Sequence, residues 1–195
     1  MEDLDLKFPS VLGTQMKFSM ALNQRKIIIN DEITSDVSLE VLYYLTRIKE
    51  LDEKLGEEKL PIEIYVDSVG GDAFAGFSIV DMIEQMKSDG YEITTINMAK
   101  AFSAGMMIAL CGSTRKAFAK SRYMFHDVSS GTTGKSREMR ESLEETEVIR
   151  DIYSNVIEKY SDIDAETIEY YIERKIDKFF SANEMLELKG VDVVL

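Results

Sequence analysis

Across its 195 residues the chain carries one cysteine, Cys111, and one histidine, His126. No internal disulfide can form, so the fold does not depend on oxidation, and a metal centre built from histidine and cysteine is excluded. No apolar run approaches the roughly 18 residues that a membrane-spanning helix needs. The N-terminus, MEDLDLKFPS, lacks the basic start and apolar stretch of a secretory signal, so a cytoplasmic location is expected. Basic residues are scarce as well: 23 against 36 acidic ones, a formal charge of −13. Phosphate backbones call for a basic surface, which argues against nucleic acid as a partner. The acidic excess favours solubility and says little about fold.

What is present suits a globular protein: 45% apolar and 30% charged residues, in a length that favours one domain with a substantial core. Residues 1–24 show little periodicity and read as an arm with a short helix, leaving 25–195 as a single domain. Arg25 to Asn30 reads as a strand of β-branched residues. After Ser35 or Asp36 as a cap, Val37, Leu39, Val41, Leu42, Leu45, Ile48 and Leu51 recur at helical spacing. PIEIYVDS, Pro61 to Ser68, alternates as a strand and stops at Gly70-Gly71. Asp72 then caps a helix whose Phe74, Phe77, Val80, Ile83 and Met86 are expected to face a core, with Gly90 ending it. Tyr91 to Met98 reads as a strand, Ser103 to Leu110 as a helix, and Tyr123 to Phe125 as a strand. This alternation predicts an α/β fold with parallel strand pairs.

Beyond the turn-rich segment 129–134, Ser136 to Tyr160 reads as a long charged helix with an apolar stripe of Met139, Leu143, Ile149, Ile152, Val156 and Tyr160. A second helix spans about Ala165 to Lys175. Ser181 and Glu184 fit a capping box, Gly190 ends that last helix, and VDVVL follows as a strand.

Three places could carry chemistry. Ser103 stands at a strand-to-helix corner, where its hydroxyl either caps the helix or is presented as a nucleophile. His126 follows the strand Tyr123 to Phe125 and is the one side chain whose ordinary pKa suits a base near neutral pH. Gly70-Gly71 would let backbone amides approach a ligand with no Cβ in the way. Taken singly, each has a plainer reading: a helix cap, a structural histidine, a turn.

Their order along the chain is what carries a resemblance. The series IYVDSVGGDAFAGFSIVDMI, KAFSAGMMIALCG, YMFHDV and RKIDKFFSANEMLELKGVDVVL resembles the ClpP family, the proteolytic subunits of the Clp proteases, from about Arg25 to the C-terminus. The resemblance implies a ClpP/crotonase-like spiral of ββα units with a helical handle at about 136–160. It also implies a serine endopeptidase without a cofactor, in which Ser103 is the nucleophile, His126 the base and Asp177 the acid that orients it. The amides of Gly71 and Ala104 would form the oxyanion hole. Implied partners are peptide or unfolded protein substrates, further copies of the chain in two stacked heptameric rings, and an ATPase unfoldase. The chain is similar, too, to the ClpP-like proteases that phages encode.

Departures from the family pattern are Val69 for proline, Ala104 for methionine, Asp127-Val128 for Gln-Pro, and Glu63 for an aromatic of the ATPase-docking pocket. Asp127 is a second carboxylate beside His126, although neighbouring side chains on a strand point to opposite faces, which favours Asp177. Other readings are a crotonase-like acyl-CoA enzyme, which does not need the three side chains, and a non-catalytic assembly subunit. A serine–lysine dyad through Lys100 ranks low, and Cys111, inside the run MMIALCG, reads as core.

Overall fold

The computed structural model of the chain describes residues 8–56, 58–129, 131 and 133–195. Two β-branched runs, Lys26–Ile29 (β1) and Ile62–Ser68 (β2), bury alternate side chains as one-sided strands do. Between them runs α2, Ser35–Leu55, preceded by α1, Phe8–Gln24. α3, Ala73–Ser88, starts at Asp72, whose carboxylate accepts the Ala75 amide at 2.7 Å. There follow β3 (Ile93–Phe102), α4 (Ala104–Leu110), β4 (Thr114–Ala117) and β5 (Arg122–Phe125). The C-terminal part holds α5 (Ser136–Tyr160), α6 (Ala165–Glu173), β6 (Lys178–Ser181), α7 (Ala182–Glu187) and β7 (Val193–Val194).

The sheet runs in the order β1-β2-β3-β4-β7 with every pair parallel. β3 forks. Its first half, Thr94 to Asn97, pairs with β4, and its last three residues, Lys100 to Phe102, pair with β5. At the fork Val66 faces Asn97 and Ser68 faces Ala101, so two steps along β2 match four along β3. This extra length swings the end of β3 out of the main sheet and towards β5, which continues antiparallel into β6. The result is a mixed α/β architecture around a mostly parallel sheet, with α5 as its longest helix among the described residues. No helix among the described residues is long and apolar enough to cross a membrane.

Several expectations need correcting. The first 24 residues include a 17-residue helix, α1, packed on β1 and α2. Thr34, not Ser35 or Asp36, caps α2. Leu39, 68% exposed, and Phe74, 54% exposed, do not face the core; Tyr44 and Ile79 are buried on the same helices instead. On α5 the inward side chains are Thr146, Tyr153 and Ile157, while Met139, Leu143 and Ile152 are exposed. β4 and β6 carry no strand signal in the sequence, because each is four residues long and mixes charge with apolar residues.

One buried ion pair ties the start of β1 to α2: Arg25 reaches both oxygens of Asp52 at 2.9 and 2.8 Å, and Asp52 is only 6% exposed. Burial alone would raise the Asp52 carboxyl, but the two hydrogen bonds and the charge of the Arg25 guanidinium outweigh it and hold its pKa below the ordinary value. A lowered carboxyl pKa stabilises the fold above the unfolded-state value and ceases to do so as pH falls through the folded-state value. Asp52→Asn should therefore cost about 3 kcal/mol near neutral pH, as removal of one partner of a buried pair does. In urea denaturation the gap between the two proteins should close as pH falls below about 4. A gap independent of pH would rule out this ionic origin.

Candidate active site

Ser103 lies between the last residue of β3 and the first of α4, with φ 51° and ψ −124°. A side chain that is not glycine rarely adopts this conformation, and holding it there costs about 1–3 kcal/mol. Its surroundings impose it. The Ser103 amide donates to Met124 O at 2.8 Å, which fixes the corner to β5, and Ala101 and Gly105 two residues to either side keep the turn free of bulk. A Cβ on Gly105 would lie 3.3 Å from Ser68, so glycine lets α4 sit close over β2. The hydroxyl makes no capping bond to α4. Of the two readings open from sequence, the helix cap is thus the one the structure disfavours.

Beside it, the turn after β2 is held from both ends. Ser68 Oγ donates to Asp31 O at 2.6 Å and accepts the Gly70 amide at 3.1 Å. Ile33 then brackets the turn: its amide donates to Gly70 O, and its carbonyl accepts the Asp72 amide, both at 2.8 Å. The Gly71 amide between them donates to no protein acceptor among the described residues, and neither does the Ala104 amide at the start of α4. Both glycines have positive φ, 92° at Gly70 and 149° at Gly71. A Cβ on Gly70 would stand 2.6 Å from Phe102 O and 2.7 Å from Ser103 Cβ, so here glycine is required by space as well as by backbone.

Ser103, Gly71, Ala104 and His126 line one cavity of about 380 Å³, walled on its apolar side by Phe74, Phe77, Met107 and Ile149. Phe74 and Ile149, expected in a core and in an unpartnered stripe, find their place here. His126 is the first residue past β5 and is half-buried. Asp177 is not part of the cavity wall. It is exposed and directly precedes β6; the last β5–β6 pair is Phe125 with Lys178, so His126 and Asp177 each stand one residue beyond the end of that antiparallel ladder. Among the described residues, no hydrogen bond joins Ser103 to His126 or His126 to Asp177.

The other carboxylates near the site are already engaged. Asp67 pairs with Lys100 at 2.9 Å, Asp72 caps α3, and Asp127 takes Arg150 at 2.8 and 3.2 Å. Asp127 is therefore turned to α5 and is not a partner of His126, and Lys100 is held by Asp67 and not by Ser103. The hydrogen bond to Asp127 raises the Arg150 pKa above its ordinary value. Cys111 is fully buried, and burial pushes its thiol up to about 12, so it is inert core. Sequence reasoning missed Arg150, which gave no signal beyond being one of several basic residues on a charged helix.

A serine on a strained strand-to-helix corner, with two unused amides and a histidine in the same cavity, has the geometry of a nucleophile elbow. The chain belongs to the Clp protease family, whose model matches residues 13–195. It is 34% identical over 168 residues to the ATP-dependent Clp protease proteolytic subunit 2 of Treponema denticola, covering 85% of this chain and 79% of that protein. With the ATP-dependent Clp protease proteolytic subunit of Deinococcus radiodurans it shares 27% identity over 180 residues, 91% of this chain and 83% of the relative. The subunit 2 of Borreliella burgdorferi is 31% identical over 142 residues, 72% and 68% of the two chains.

Gly70→Ala should push the Ser103 corner out of line, because the new methyl meets backbone and Cβ atoms that cannot swing away. The expected result is a folded protein, by circular dichroism, with its Tm lowered and any hydrolytic activity lost. Full activity in this variant would mean that the corner is not held as described.

Proposed function

We propose that the chain is a serine endopeptidase that cleaves peptides and unfolded polypeptides through an acyl-enzyme. The observation that carries this reading is the uncapped Ser103 hydroxyl on its strained corner, in one cavity with the unused Gly71 and Ala104 amides and the sole histidine. His126 takes the Ser103 Oγ proton as Oγ attacks the substrate carbonyl. The oxygen of the tetrahedral intermediate accepts from the Gly71 and Ala104 amides. The imidazolium returns the proton to the departing amine, leaving an ester on Ser103, and a water deprotonated by His126 then hydrolyses it. Asp177 orients the ring and stabilises its charged form. Its exposure requires it to turn towards His126 when the site is engaged, and the paired state of Asp67, Asp72 and Asp127 supports it as the carboxylate left for that task.

Assembly belongs to the same proposal. Met139, Leu143 and Ile152 leave an apolar strip exposed on α5, and exposed apolar surface of this kind marks an interface. We infer that copies of the chain meet through this helix in two stacked heptameric rings, enclosing the serines in a chamber in the cytoplasm. The relatives' names, ATP-dependent Clp protease proteolytic subunits, support an ATPase that delivers unfolded protein.

Ser103→Ala should abolish peptide hydrolysis without unfolding the chain. His126→Ala and Asp177→Asn should each lower kcat by orders of magnitude, about 10⁴ being typical when the orienting acid is lost. A silent Asp177→Asn together with a crippling Asp127→Asn would reverse the assignment of the acid. Light scattering should report a large closed oligomer that Ile152→Asp reduces to smaller, less active species. A fully active monomer that digests folded proteins would refute the chamber.

A further inference from the structure

The ion pair between Asp127 and Arg150 has no task in the scheme above, yet it lies one residue from the proposed base. β5 ends at Phe125, so residues 126–129 belong to no strand or helix. Two contacts with α5 hold the end of β5 and the start of this segment. The Phe125 ring stacks parallel on Tyr153, centroids 5.2 Å apart at 1°, and Asp127 takes Arg150 through Nε at 2.8 Å and Nη2 at 3.2 Å. Arg150 and Tyr153 are three residues apart, hence neighbours on one face of the helix. The same Asp127 oxygen also accepts the Val128 amide at 2.8 Å.

The pair is a forked, two-point contact, which fixes direction as well as charge. Its side chains are 29% and 32% exposed, so it adds little to overall stability and its loss should be felt locally. Unpaired, Asp127 would be a carboxylate next to an imidazole and a rival to Asp177 for the ring N–H. The other charged groups acting here are Glu147 of α5 and Glu169 of α6, both near Arg150, and Asp177, one residue beyond the last pair of β5 and β6.

We propose that Arg150 is a positioning residue: by holding both oxygens of Asp127 it keeps that carboxylate from capturing the imidazole intended for Asp177. This rests on the reading of His126 as the base. It also makes the geometry of the base depend on the helix that carries the exposed apolar strip, so that movement of α5 is transmitted to His126.

The test compares the full-length protein with Arg150→Gln, Asp127→Asn and the double variant. It measures kcat and KM on a short fluorogenic peptide and the ring-nitrogen NMR signals of His126, which as the only histidine needs no assignment. Arg150→Gln should lower kcat about tenfold or more, within the coupling expected of touching residues, with KM changed less than about twofold and the ring signals displaced. Asp127→Asn and the double variant should both stay near wild type in kcat and in ring signals, because removing the rival carboxylate removes the need for its restraint. A double variant as impaired as Arg150→Gln, an Asp127→Asn as damaging as Arg150→Gln, or an Arg150→Gln without effect would each overturn the proposal. Should the wild-type protein hydrolyse no peptide, the peptidase reading fails separately. The ring signals then decide alone: displacement in Arg150→Gln and return in the double variant support the positioning role, and any other pattern overturns it.

Discussion

The backbone of Ser103 is the constraint on which the site depends. A residue with a side chain is held at φ 51° and ψ −124° only if everything around it agrees, since relaxation would regain about 1–3 kcal/mol. The agreement is visible in three directions. Behind it, β3 outruns β2 by two residues and is thereby led out of the main sheet to β5, which receives the Ser103 amide. Ahead of it, α4 is buried along its whole length, so the helix cannot shift to ease the corner. Alongside it, Gly70 leaves room for the Ser103 Cβ that no other residue would leave.

The same arrangement decides which polar groups remain free. Parallel strands end together, so the turns after β2, β3 and β5 converge on one edge of the sheet, and ligand-facing groups collect at such carboxyl ends. Within that edge most hydrogen-bonding capacity is consumed by the scaffold: Ser68 and Ile33 hold the glycine turn, Lys100 holds Asp67, and Arg150 holds Asp127. Among the groups left over in the described residues are the Ser103 hydroxyl, the Gly71 and Ala104 amides, the His126 ring and the Asp177 carboxylate. The proposed chemistry uses this remainder. In a chain of charge −13, a free carboxylate is not informative by itself; it becomes so when its neighbours are all engaged.

Much of this was legible in the sequence, for identifiable reasons. The apolar spacing from Ser136 to Tyr160 marks α5 with the bounds it has in the structure, and the capping box at Ser181 and Glu184 forms. The small residues around Ser103 and the glycines after β2 announce tight corners whatever their purpose. Short, charged β4 and β6 gave no periodic signal, since their place is set by pairing with distant strands and not by their own composition. Helical spacing alone points Phe74 at a core, but its side chain lines the cavity and stays 54% exposed. The partner of Asp127 could not be found from sequence, because Arg150 is 23 residues away and becomes a neighbour only through the path of α5.

The central claim is that the corner of β3 and α4 presents an activated serine. Treatment with a fluorophosphonate, followed by intact mass and peptide mapping, tests it without assuming a substrate. The account predicts one adduct per chain, on Ser103. Absence of any adduct on the assembled protein, or an adduct on another residue, would contradict it.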